Sequence, residues 1–274
     1  MTAPDVPRSR PWSRRSMLRA LAPLPLLAAG GCGGSGAPAS AAKNAAPSPA
    51  RTPSPGTSSS ASPAPAGARP VALVQPEVSQ APAVTDAVAL TFHGDGSPEL
   101  AEALLAEAEK ADARLTVLAV GRWLANYPQM AERVLKGGHE LGNHTENHLD
   151  IDAMSASQAY DEIEQCARRL EQLTGSRGRW FRQSQAQHAN SVVRAAATRA
   201  GYGTLLSYDL DPLDYTDPGS TRIVNNVLDK VRGGDVVSLH LGHTGTVSAL
   251  PVILSGLKQR GLRAVTASEL FPSS

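Results

Sequence analysis

From Ala87 onward, short runs of β-branched and aliphatic residues alternate with longer segments whose apolar positions recur every three or four residues. Apolar runs at 87–92, 115–120, 140–142, 179–181, 204–208, 236–239 and 263–266 predict strands, because a strand covered on both faces loses the polar half of its alternation. Between them, Ser97-Pro98-Glu99 opens a helix running to Lys110, with a capping hydroxyl, a proline whose φ suits the first turn and an acid that complements the dipole. Ser155 opens a longer helix to Leu173, whose apolar stripe of Ile163, Cys166 and Leu170 makes Cys166 a small core residue. Strands alternating with helices imply parallel pairing through crossovers. About seven strands in about 190 residues, with no Gly-rich loop after the first, fit an α/β fold of the small or incomplete (β/α) barrel kind. An open flavodoxin-like sheet is the alternative.

Upstream the pattern disappears. Residues 33–83 are nearly all Ala, Pro, Ser, Gly and Thr, with little to bury, and read as a disordered tether. Within it, the apolar stretch 71–74 between Pro70 and Pro76 is a candidate edge strand. Residues 1–32 pair Arg14 and Arg15 with an apolar run too short to span a bilayer, ending in Ala29-Gly30-Gly31-Cys32. This resembles a twin-arginine lipoprotein signal peptide, which implies export, acylation of Cys32 and a lipid-anchored protein on the extracytoplasmic face of the membrane. One folded domain, 84–274, remains. A net charge of +1 without a long basic cluster outside the N-terminus gives no reason to expect nucleic acid. Two cysteines cannot build a disulfide framework, and the absence of a heptad seam points to a monomer.

In such a barrel the active site forms at the C-terminal ends of the strands. The residues there are His93 and Asp95; His144 and His148; Arg182; Asp209, Asp211 and Asp214; His240 and His243. His144 and His148 are four apart, so one helical turn would aim both imidazoles at a shared metal, and Asp95 would add a carboxylate while leaving positions for water. His139 reads as structural, His188 as a surface residue, Glu146 as a supporting or solvated group, and His243 as either a site residue or a loop cap.

The stretches Ala89-Leu90-Thr91-Phe92-His93-Gly94-Asp95-Gly96, His139-Glu140-Leu141-Gly142-Asn143-His144-Thr145-Glu146-Asn147-His148, Phe181-Arg182, Asp209-Leu210-Asp211-Pro212-Leu213-Asp214-Tyr215 and Ser238-Leu239-His240 resemble the five ordered motifs of the polysaccharide deacetylases (NodB homology, carbohydrate esterase 4) over about residues 84–270. The resemblance implies a distorted or incomplete barrel of seven to eight strands and hydrolysis of N-acetyl or O-acetyl groups on an acetylated cell-wall or chitin-like polysaccharide. It also implies a divalent metal, zinc foremost with cobalt, nickel or manganese as substitutes. Residue by residue, it implies His144 and His148 as metal ligands, His240 as general acid, Asp211 as the carboxylate orienting it and Arg182 as the group steadying the base. Tyr215 and the backbone of Gln185 would meet the substrate.

Two stretches depart from the family pattern. Its first motif has adjacent aspartates after Thr-Phe, whereas this chain places His93 at the base position and Gly94 at the metal position, with Asp95 one residue further. Two arrangements follow: His93 as base with Asp95 reaching the metal through a bulge, or His93 as a third histidine ligand with Asp95 as base. The third motif lacks its usual prolines and reads Arg182-Gln183-Ser184-Gln185.

Overall fold

The computed structural model describes residues 76–81 and 85–272, which fall within one compact unit, Pro65–Ser274. The expected signal segment, Cys32, the 71–74 strand and all of the expected tether outside 76–81 lie outside the described residues.

The elements alternate as expected: β1 (Glu77–Val78), β2 (Ala87–Gly94), α1 (Pro98–Lys110), β3 (Thr116–Ala119), α2 (Gly121–Asn126), α3 (Gln129–Lys136), β4 (Glu140–Asn143), α4 (Ala156–Thr174), α5 (Ser191–Arg199), β5 (Leu205–Leu206), α6 (Ser220–Leu228), β6 (Val236–His240), α7 (Thr244–Gln259), β7 (Arg263–Val265) and α8 (Ala267–Leu270). The helix starts follow their caps. Ser97 Oγ accepts from Leu100 N, and Ser155 forms a reciprocal capping box with Gln158.

Every strand ladder is parallel, in the order β4-β3-β2-β6, with β7 against the start of β2 and β1 on β5. Single parallel bridges at Asn143–Phe181, Phe181–Leu205 and Leu210–Val237 carry the path from β4 round to β6. This is the incomplete α/β barrel. The expected strands at 179–181 and 204–208 shrink to one bridge and two residues. At the end of β5 a side chain takes the place of a neighbouring strand: Leu206 O and Ser207 O accept from the Arg182 guanidinium. The fold also begins before residue 84, because Val78 packs beside Leu206 and Trp180.

Alternation along the strands sorts the side chains. On β2, Val88, Leu90 and Phe92 join the cluster under α1 and α7, while Ala89 joins Leu118, Trp180, Leu206 and Val236. The second set lies on the same strand faces as Thr91, His93, Ser238 and His240. The inner face therefore changes from apolar to polar toward the C-terminal ends of β2 and β6.

Candidate active site

His93, the residue before the end of β2, keeps regular register, opposite Leu118 of β3 and His240 of β6, and Gly94 still pairs with Ala119. No bulge intervenes. Immediately afterwards Asp95 N donates back to His93 O, a tight turn that sends Asp95 to the rim. There its carboxylate pairs with Arg122 at 3.0 Å and accepts from Gly96 N. Asp95 thus lies outside the histidine cluster in which the sequence reading placed it as a metal ligand, because the strand continues one residue past the histidine.

His144 and His148 come together in a loop, not on the helical turn expected from their spacing. Thr145 and His148 take positive φ values of 67° and 56°, a conformation costly for residues with a Cβ. The loop is held from three sides. Thr145 N donates to Asn143 Oδ1 and His148 N to Thr145 Oγ1. The buried Glu162 of α4 accepts from Asn147 N at 2.8 Å and Asn147 Nδ2 at 2.7 Å. Finally, the Thr145 and Glu146 carbonyls receive the Gly121 and Arg122 amides, which the first turn of α2 leaves without helical partners.

The three imidazoles meet: His144 Nε2 is 3.0 Å from His93 Nδ1, and one ring nitrogen from each of His93, His144 and His148 lies within 4.8 Å of the others. His144 Nδ1 donates to Arg182 O, and His93 Nε2 faces Ser238 Oγ at 3.0 Å. Burial, reinforced by neighbouring cationic groups, holds the His93 and His144 pKa values well below the ordinary 6.5 and lowers that of His148. Burial thus favours the neutral imidazole, the form that ligates a metal. Three imidazoles on one zinc, at about 2.0–2.1 Å each, lie roughly 3.4 Å from one another. The observed separations bracket that value, so the donor set fits a divalent cation.

On the other wall His240 Nδ1 bonds Asp214 Oδ1 at 2.7 Å, and its backbone N donates to Asp214 Oδ2 at 2.9 Å. Thr246 Oγ1 adds a third bond to the same fully buried carboxylate at 2.7 Å. Asp214, not Asp211, is the partner of His240. Asp211 is spent on a local turn, accepting from Leu213 N, and burial raises its pKa. The Tyr215 ring stands edge-on to His240 with centroids 5.2 Å apart and is half exposed at the rim.

Arg182 is fully buried, with Nε and Nη2 on the Leu206 and Ser207 carbonyls and its guanidinium 5.2 Å from the Tyr208 ring. Burial brings its pKa down to about 9, leaving it charged at neutrality, and its Nη1 has no partner among the described residues. The side chain braces the β5 backbone, and its carbonyl orients His144. Gln185 adopts φ 60° and donates Nε2 to His148 O, so its side chain supports the same loop. A cleft of about 320 Å³, lined by His93, Asp95, His148, His240 and His243, opens between the walls. His243 is bonded to Asp217 at its edge.

The sequence reading left Ser238, Asp214 and Glu162 without roles. A signal existed for Ser238, two residues before His240 and so on the same strand face. For Glu162, nothing in the spacing links α4 to a loop fifteen residues away.

The polysaccharide deacetylase family model matches residues 81–205. A peptidoglycan-N-acetylglucosamine deacetylase of Bacillus cereus is 34% identical over 195 residues, covering 67% of this chain and 87% of that protein. The solved Bc1960 peptidoglycan N-acetylglucosamine deacetylase superposes with TM-score 0.68 at 25% identity, over 73% of this chain and 94% of the other. A carbohydrate esterase 4 family pseudoenzyme from Bacillus anthracis shares the fold, with TM-score 0.67 at 23% identity over 72% and 69% of the two chains. With a relative this similar along most of its length, and with the histidine cleft at the barrel's C-terminal end, the chain belongs to the polysaccharide deacetylase family of hydrolases.

Proposed function

We propose that this chain removes acetyl groups from an amino-sugar polymer of the cell wall, or from a chitin-like oligomer, with a divalent cation, zinc foremost, held by His93, His144 and His148. The reading rests on one observation above all: the His93–His144–His148 cluster puts His93 and His148 on the wall of one cleft, and His240, held by the buried Asp214, lines the same cleft. A cation bound there would polarise an acyl oxygen and lower the pKa of a water. Asp95, the carboxylate lining the cleft, is then the group that takes the attacking water's proton, after parting from Arg122. Asp214 holds His240 through Nδ1, leaving Nε2 to protonate the departing amine as the C–N bond breaks and acetate forms. Tyr215 offers an apolar face to the sugar or the acetyl methyl.

Acetate release from N-acetylglucosamine oligomers, measured with added zinc or cobalt, tests the reaction. His144→Ala and His148→Ala should each remove about one equivalent of bound zinc without unfolding the domain. No acetate, together with unchanged metal content, would sink the proposal. A second reading, a slowed member that chiefly binds glycan, draws on the Asp95–Arg122 pair, which occupies the cleft's carboxylate. Glycan binding without turnover in the same assay would favour it.

The export-like N-terminus and the peptidoglycan-directed relatives support action at the cell surface through a lipid on Cys32. Cys32→Ala should then move the protein from the membrane pellet to the soluble exported fraction. A variant that stays in the pellet would refute the anchor.

A further inference from the structure

Ser238 lies on β6 at the register position opposite Thr91, one step below the His93–His240 pair, and it is buried. Its Oγ, 3.0 Å from His93 Nε2, has no other side-chain or backbone partner among the described residues. At the far end of the same chain of contacts, His144 Nδ1 faces Arg182 O. A carbonyl can only accept, so Nδ1 carries the hydrogen and Nε2 of the neutral ring carries a lone pair. That lone pair points at His93 Nδ1, 3.0 Å away.

Two complete arrangements of hydrogens remain. In one, His93 Nδ1–H donates to His144 Nε2, and the Ser238 hydroxyl donates to His93 Nε2. In the other, His93 Nε2–H donates to Ser238 Oγ, and two lone pairs face each other, an arrangement tolerable only around a cation. A hydroxyl both donates and accepts, so it satisfies His93 in either state. A methyl group satisfies neither, and would leave a buried N–H orphaned in the second.

We infer that Ser238 is the positioning residue that holds His93 in the tautomer able to ligate a divalent cation through Nδ1. The inference rests on the three-histidine reading above and adds to it how this chain accommodates a histidine at the end of β2. The partner of a metal-bound imidazole's second nitrogen typically contributes about 10–100-fold in metal affinity.

The test is zinc affinity of the full chain, measured by competition with a chromophoric chelator, for the wild type, S238A, S238V and S238T. S238V and S238T differ in the hydroxyl and hardly in volume. S238A and S238V should bind zinc about 10–100-fold more weakly, while S238T stays within about threefold of wild type. Metal-free melting temperatures identify any variant that fails to fold; should S238V do so, S238A carries the comparison. In zinc-loaded wild type, imidazole ¹⁵N spectra should show His93 protonated at Nε2. Wild-type affinity in S238A and S238V, with zinc still lost in H144A, overturns the role of Ser238 and leaves the three-histidine site standing. His93 protonated at Nδ1 in the zinc-loaded protein overturns it equally. If wild type binds no zinc, or H144A binds it as tightly, the inference and the metal reading fall together.

Discussion

Asp214→Asn isolates the carboxylate that orients His240. The substitution keeps the volume, removes the charge and turns one acceptor into a donor. The native carboxylate accepts three bonds, from His240 Nδ1, His240 N and Thr246 Oγ1, at 2.7, 2.9 and 2.7 Å. The amide oxygen can keep the backbone N–H and the hydroxyl, but its NH₂ then faces Nδ1 and forces that nitrogen to accept. A ring in that state cannot release its Nε2 proton without becoming an imidazolate, so acetate release should fall about 10²–10⁴-fold, the usual worth of a positioned acid. A bond to a charged group contributes about 1.5–3 kcal/mol. The imidazole ring is 20% exposed, so the lower part of that range applies, about 2 kcal/mol. For a domain of this size that is a fall of roughly 4–8 °C in Tm. Asp211→Asn is the contrast: its bond from Leu213 N at 2.8 Å is a turn that asparagine makes equally well, so stability should change by less than about 0.5 kcal/mol. Thermal melts of zinc-free protein and acetate release measure both. Losses in Asp211→Asn equal to or larger than those in Asp214→Asn would refute the assignment of the dyad.

Glu162→Gln should loosen the histidine loop, since the amide can accept from Asn147 N or Asn147 Nδ2 but meets the other as a second donor. Zinc affinity should drop and stability fall by about 1–3 kcal/mol, checked by chelator competition and urea titration; unchanged zinc affinity would remove Glu162 from the support of the site. Far from the cleft, burial and then the neighbouring Asp235 push the Asp209 pKa up to about 7. The folded chain thus keeps a proton that an unfolded aspartate releases near pH 3.9, so this contribution to stability is whole below about pH 4 and lost as pH rises through about 7. Asp209→Asn keeps an acceptor for Val236 N and should flatten that limb; a wild-type Tm that does not fall relative to the variant between about pH 5 and 8 would contradict it.

The strand runs, the capped starts of α1 and α4 and the polar residues at strand ends were legible in the sequence, because alternation, helical spacing and capping are local and act within a few residues. Even the inner face of β6, with Ser238 below His240, follows from a period of two. Tertiary structure decided the rest. Four-residue spacing suggested a helical turn for His144 and His148, yet Glu162 and the amides of α2 hold them in a loop with two left-handed residues. Three acids follow β5, and only packing against Thr246 and β6 selected Asp214 to meet His240. Asp95 and His93 compete for one place beside the histidines, and the unbroken register of β2 with β3 and β6 gave it to His93. The contacts that matter here join His93 to residues 51 and 145 positions away. No local pattern encodes such pairs; they form only when parallel register brings the ends of separate strands to the same height.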